Sequence, residues 1–296
     1  MADEKKPDPA AQGGADQSNE EIRECWKVAT FKSANAYHQF SRKIKTTNRH
    51  IRDADDLEFL ATLLAQAEHD RKTTIPKGIF LWRAQLGFDQ EPIWDGEKYV
   101  DDWVEGALPP DRMKPLRDRA REGRANPQGI PCLYLSTRKE TALSEVRPWL
   151  RSLISIAQFE TVRELTIVDF STDERPRRRS NYSLPPEEWD KAVWYEIDQA
   201  FRKPVTPEGD LPSDYAPTQA IAEFFKAHGF DGIAYQSAFQ SKSRKGHNVA
   251  LFDLDAAHLI GCGLQKVEEI KFRFEQAGNS YSVERKNDAP LRAKAK

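Results

Sequence analysis

The way apolar residues are parcelled along this chain limits its fold more than any other feature. Through the middle they fall in short runs, at 78–84, 132–136, 153–159, 165–170, 230–235 and 248–252, bounded by Gly, Pro and charged residues. Runs of that length read as strands. Between and before them lie stretches of helical period. Residues 55–70 place Leu57, Leu60 and Leu64 on one side, with Phe59 and Leu63 beside them, after aspartates suited to an N-cap. A second helix is expected over 187–201, and a third after Thr218 as cap, carrying Ile221, Phe224 and Phe225 and ending at Gly229 in the C′ position. Thr137 with Glu140 makes a capping-box signature, so 138–147 should be a helix stopped before Pro148. Strands and helices mix without strict alternation, which is the pattern of an α+β mixed sheet.

At 296 residues the chain suits one large domain, or a catalytic domain with a smaller helical one. Residues 1–20 are rich in Pro, Gly and charge without apolar periodicity, and read as a disordered tail. Residues 21–75 read as a helical N-terminal extension, 76–270 as the catalytic domain, and 284–296 as a flexible basic tail. The extension is expected to pack on the catalytic domain as a bundle, the other reading being a dimer or partner interface. No internal repeat is visible.

The formal net charge of −2 gives no global reason to expect nucleic acid or an anionic membrane as partner. The cluster at 175–179, Arg-Pro-Arg-Arg-Arg, reads as a solvated loop before it reads as a nucleic-acid contact. Three widely spaced cysteines, Cys25, Cys132 and Cys262, argue against a disulfide framework and are expected to be small buried hydrophobes in a reducing compartment. No apolar run approaches the roughly 18–20 residues that span a bilayer, and no signal-peptide core is present, so a cytoplasmic protein is expected.

Walker loops, a GxGxxG turn, HExxH and paired-cysteine zinc patterns are all missing, so no metal site is expected. The six histidines lie singly, His247 being the one near other polar candidates. Three polar residues stand among short apolar segments: Arg83 at the end of the strand GIFLWR, Glu145 inside TALSEV, and Ser237 after GIAYQ. Apolar neighbours imply that all three are partly buried, where charges need partners. Arginine and glutamate meeting in one cleft make either a structural ion pair or a site for a charged ligand, and spacing alone favours the pair.

Taken together, the segments LWRAQ, GRANPQGIPCLYLSTRKETALSEV and TQAIAEFFKAHGFDGIAYQSA resemble the RES domain, named for its Arg, Glu and Ser, over roughly residues 79 to 255. The resemblance implies a core related to ADP-ribosyltransferases, NAD as substrate, and cleavage of the bond between nicotinamide and ribose. Some relatives use inorganic phosphate as acceptor, and others modify a protein. It further implies a toxin restrained by an Xre-type antitoxin protein. On that footing Arg83 and Arg124 would hold the pyrophosphate through planar guanidinium forks, and Tyr134 would stack on nicotinamide. Asn126, Ser136 and Tyr235 would complete the substrate pocket. Glu145 would stabilise an oxocarbenium-like transition state, and Ser237 would orient it, since no His–Asp pair accompanies that serine as it would a nucleophile.

This chain departs from the family pattern at Ala125, where many members carry an aromatic residue, and in the long segment before the first matched strand. Two further readings stay open: a transferase acting on a protein acceptor through the same NAD site, and a catalytically silent NAD-binding module. A homo-oligomer is compatible with the extension.

Overall fold

In chain order the computed structural model has helices α1 (Ala36–Thr46) and α2 (Ala54–Gln66), then strands β1 (Lys72–Ile75), β2 (Phe80–Leu86), β3 (Asp89–Asp95), β4 (Lys98–Gly106) and β5 (Leu133–Ser136). Helix α3 (Lys139–Glu145) is followed by β6 (Leu153–Thr161), β7 (Leu165–Asp169), α4 (Trp189–Arg202), α5 (Ala216–Ala227), β8 (Gly232–Gln236), β9 (His247–Leu251), β10 (Ala257–Lys266), β11 (Tyr281–Glu284) and β12 (Arg292–Ala295). The structure describes residues 29–176, 184–203, 212–239, 246–272, 274–284 and 292–295. The expected disordered tail at 1–20, Cys25 and most of the basic cluster at 175–179 lie outside these residues.

Eight strands form one sheet in the order β1-β7-β8-β9-β5-β2-β6-β10. Strands β7 and β8 pair in parallel, and such a pair needs a long crossover, which α4 and α5 supply. The alternation of side chains across the sheet explains why the strands read as continuous apolar runs. Val168, Ile233, Tyr235 and Ala250 face the helices, while Ile167, Ala234, Val249 and Leu251 face a second core with Leu81, Met113 and Phe159. Both faces of the central strands are covered, so neither needs polar residues.

The helix-side core does not stop at α4 and α5. Phe40 and Ile44 of α1 and Phe59 and Leu63 of α2 share it with Phe170, Ile197 and Phe225, Phe40 and Phe59 stacking at 4.7 Å between ring centroids. Trp194 Nε1 of α4 also donates to Gln66 Oε1 of α2 at 2.7 Å. The N-terminal helices thus form a layer continuous with the core. The segment is not helical to its end, because β1 joins the sheet beside β7.

Several local expectations are corrected. Thr137 caps no helix: its Oγ1 accepts the His247 backbone N–H at 3.0 Å, the cap of α3 is Arg138, and the helix ends at Glu145. Thr218 lies inside the first turn of α5, its hydroxyl donating to Tyr215 O. Leu57 is 55% exposed, since α2 turns Phe59, Leu60 and Leu63 inward instead. Strand β2 runs past Arg83 to Leu86, and Cys262 is exposed on β10, whereas Cys132 is buried. Of the span 284–296, residues 285–291 and 296 lie outside the described residues, and β12 pairs with β11. Strands β3 and β4 form a hairpin closed by the two-residue loop Gly96-Glu97, with Gly96 in the first central position at φ +61°. Gly229, at φ +84°, does terminate α5. No helix among the described residues is long and apolar enough to cross a membrane.

Candidate active site

Strand register assembles the centre of the site. Tyr235 of β8 stands opposite Asn248 of β9, Asn248 opposite Ser136 of β5, and Ser136 opposite Trp82 of β2. Residues opposite one another point to one face, so this row of polar and aromatic side chains lines a single cavity of ≈ 250 Å³. Helix α3 lies across it and places Glu145, its last residue, at the rim.

Glu145 is fixed through one oxygen. Its Oε1 accepts the Ser237 hydroxyl at 2.6 Å and the Asn248 Nδ2–H at 2.6 Å. The carboxylate can only accept, which settles how the amide is turned, and Asn248 Oδ1 then accepts the Ser136 hydroxyl at 2.8 Å. Ser237 is fully buried, and its oxygen also accepts the Phe239 backbone N–H at 3.1 Å. A serine that donates to a carboxylate and accepts from the backbone positions that carboxylate. Among the described residues no hydrogen bond reaches Glu145 Oε2, and the residue as a whole is exposed, contrary to the burial expected of it.

Arg83 sits mid-strand on β2, opposite Ala157 of β6. Its Nη1 donates to Tyr134 O at 3.0 Å, while its buried Nε has no hydrogen-bond partner among the described residues. Burial lowers its pKa from the usual arginine value. The expected ion pair with Glu145 does not form.

The loop before β5 is organised by two of the predicted residues. Tyr134 donates its hydroxyl to Asn126 Oδ1 and accepts the Ala125 N–H, both at 2.8 Å; burial raises its pKa further above the ordinary tyrosine value. Asn126 Nδ2 donates to the carbonyls of Arg121, Pro127 and Ile130. Its polar atoms are thereby committed, so Asn126 shapes the wall of the site instead of binding substrate directly. Gln219 of α5 clamps the same loop through the carbonyls of Gly123 and Asn126. Arg124, expected beside Arg83, turns to the C-terminal end of α4: it bonds the carbonyls of Ala200 and Lys203 and lies over the Tyr215 ring.

From the central cavity the cleft opens two ways. Past Arg83 and Tyr134 it widens into ≈ 750 Å³ edged by Arg112, Lys114, Arg119 and Arg121. Past Glu145 and Asn248 it continues into ≈ 320 Å³ edged by Arg124, Arg147, Arg202 and Phe239. The larger arm also carries Glu122, but both arms are net basic, and with Glu145 between them they suit an anionic substrate whose reacting centre becomes cationic. A groove of ≈ 720 Å³ between α1 and α2 shares no residue with this cleft. His247 contributes backbone bonds to Thr137. No group of three or more His, Cys, Asp or Glu among the described residues could hold a metal ion.

The sequence matches the family model described as RES domain over residues 103–275, more than half of the chain. The protein belongs to the RES-domain family. Tyr134, Glu145, Ser237 and Asn248 fall inside the matched span of this RES protein, and Arg83 precedes it, brought in by the pairing of β2 with β5 and β6. No curated protein matches the chain. Among solved structures, a chain of the M. tuberculosis MbcT–MbcA toxin–antitoxin complex is 15% identical, the overlap covering 68% of this chain and 90% of that one at a TM-score of 0.36. The family assignment rests on the domain match.

Sequence reading missed Asn248 and Trp82. Asn248 carried a faint signal as an amide opening an otherwise apolar strand, but its meaning depends on which strands flank it.

Proposed function

We propose that this RES protein cleaves the bond between nicotinamide and ribose in NAD. The observation that carries the reading is Glu145, with one carboxylate oxygen held by two donors and the other unbonded among the described residues, at the centre of a cleft edged by arginines. Departure of nicotinamide leaves positive charge on the ribose C1′ and ring oxygen, and a fixed carboxylate stabilises that charge without having to reorganise. Arg83, which lines both the central cavity and the larger arm, supplies charge for a phosphate oxygen. Trp82 and Tyr134 supply aromatic walls for the flat nicotinamide ring, and Ser136 and Tyr235 complete the pocket. Arg124 adds charge to one arm, its donors being engaged on α4. Inorganic phosphate or water then captures the ribosyl cation, and an antitoxin protein restrains the activity, as the family resemblance implies.

Incubating purified protein with NAD, with and without phosphate, tests this by nicotinamide release and product mass. Phosphorylated ADP-ribose identifies phosphorolysis and free ADP-ribose identifies hydrolysis. Removing a preorganised charge-stabilising group commonly lowers turnover about 10²–10³-fold, and that drop is expected for Glu145→Ala and Arg83→Ala. Ser237→Ala removes one of two bonds to the carboxylate and should lower it about tenfold or more. Wild-type rates in all three variants would remove the assignment.

A further inference from the structure

Beneath the catalytic row lies a buried group that the chemistry above does not use. Asp198 of α4 is fully buried, and its Oδ1 accepts the backbone N–H of Gln236, the last residue of β8, at 3.1 Å. The next residue is Ser237, which donates to Glu145. The Gln236 side chain is tied from both ends: Arg202 Nη1 donates to its Oε1 at 2.9 Å, and its Nε2 donates to Asp173 Oδ1 at 2.9 Å. Arg202 also lies 3.8 Å from Asp198 Oδ2, which otherwise has no hydrogen-bond partner among the described residues. A buried carboxylate left partly unsatisfied is costly to keep, and its retention calls for an explanation.

We infer that Asp198 is a positioning residue for the reaction: its carboxylate, with Arg202 and Gln236, holds the end of β8 so that Ser237 meets Glu145. The inference rests on the proposed NAD chemistry for its kinetic readout, though the strut itself can be tested without it.

The strut is sensitive to pH. Besides Arg202 of its own helix, the charged groups acting on Asp198 are Arg71 from the turn before β1 and Asp169 of β7. Desolvation outweighs the two arginines and pushes the carboxyl up to about 6. As pH falls through that value Asp198 takes up a proton and its charge-assisted hold on the Gln236 N–H and Arg202 weakens. Ionised Asp198 is therefore the working form, present above pH 6 and lost below it.

Asp198→Asn keeps the shape and removes the charge, so it tests the strut in two ways. At pH 8 the variant should lose about tenfold in kcat, the worth of one charge-assisted hydrogen bond, with KM for NAD within about twofold of wild type. Wild type should lose kcat as pH falls through about 6, and that decline should be absent from the variant. Independently of turnover, hydrogen exchange of a peptide spanning 232–239, corrected for intrinsic rates, should lose protection in wild type between pH 7.5 and 5 and show no such dependence in Asp198→Asn. A variant with the wild-type kcat and acid limb overturns the inference, as does pH-independent protection in wild type. If wild type cleaves no NAD, the proposed function fails, and the exchange measurement still decides whether Asp198 holds the end of β8.

Discussion

Asn248 receives a hydrogen bond from Ser136 and gives one to Glu145, so this one amide links the buried serine of β5 to the carboxylate. Replacing it with alanine removes a bond to a charged oxygen, typically worth about 1.5–3 kcal/mol, and should lower kcat about 10–100-fold with little change in KM. Asn248→Asp is more informative. It sets a second carboxylate against Glu145 Oε1, where like charges repel, so kcat should fall further than in Asn248→Ala. A variant no slower than Asn248→Ala would show that the amide donor does not govern the charge at Glu145. Arg83, Glu145 and Ser237 stood out in the sequence as polar residues among apolar neighbours, but the roles expected of them came from the resemblance to the RES domain. Asn248 did not stand out, because an isolated asparagine becomes significant only when its cross-strand neighbours are known. Arg124 and Asn126 were expected to bind substrate, and their side chains are engaged with protein carbonyls that no linear spacing reveals.

At the scale of elements, the loop before β5 shows how a turn motif becomes a wall of the site. Gly123 is needed for close approach: a Cβ there would stand 2.5 Å from the Tyr134 hydroxyl oxygen and 2.9 Å from Asn126 Oδ1. Gly123→Ala must therefore displace the Tyr134–Asn126 pair. Overpacking of this kind usually destabilises by about 1–3 kcal/mol, and here it should also raise KM for NAD, because Tyr134 lines the cavity. Denaturant unfolding together with initial rates checks both. The strands at 132–136, 153–159, 165–170 and 230–235 were readable from apolar run length and turn chemistry. The capping box at Thr137 was not a cap, because pairing with His247 on β9 competes for the same hydroxyl. A local motif predicts a local bond only when no neighbouring strand offers a better one.

For the whole molecule, the decisive feature is that α1 and α2 share one apolar core with α4, α5 and the sheet. Phe40 is 2% exposed within that core. Phe40→Ala should cost about 3–5 kcal/mol and lower the melting temperature of one transition, with NAD cleavage lost in the same range. Two separate transitions, the later one retaining activity, would show the N-terminal helices to be an independent unit. The sequence by itself determined the α+β class, the membership signalled by the Arg, Glu and Ser segments, and an amphipathic helix within 55–70, which the structure ends at Gln66, because apolar periodicity and turn residues are local properties. Only the tertiary structure decided that β1 and β10 close the two ends of the sheet, that Asn248 faces Ser136, and that Asp198 lies beneath Ser237. Those facts depend on strand order and on contacts between residues distant in the chain, and periodicity carries no record of either.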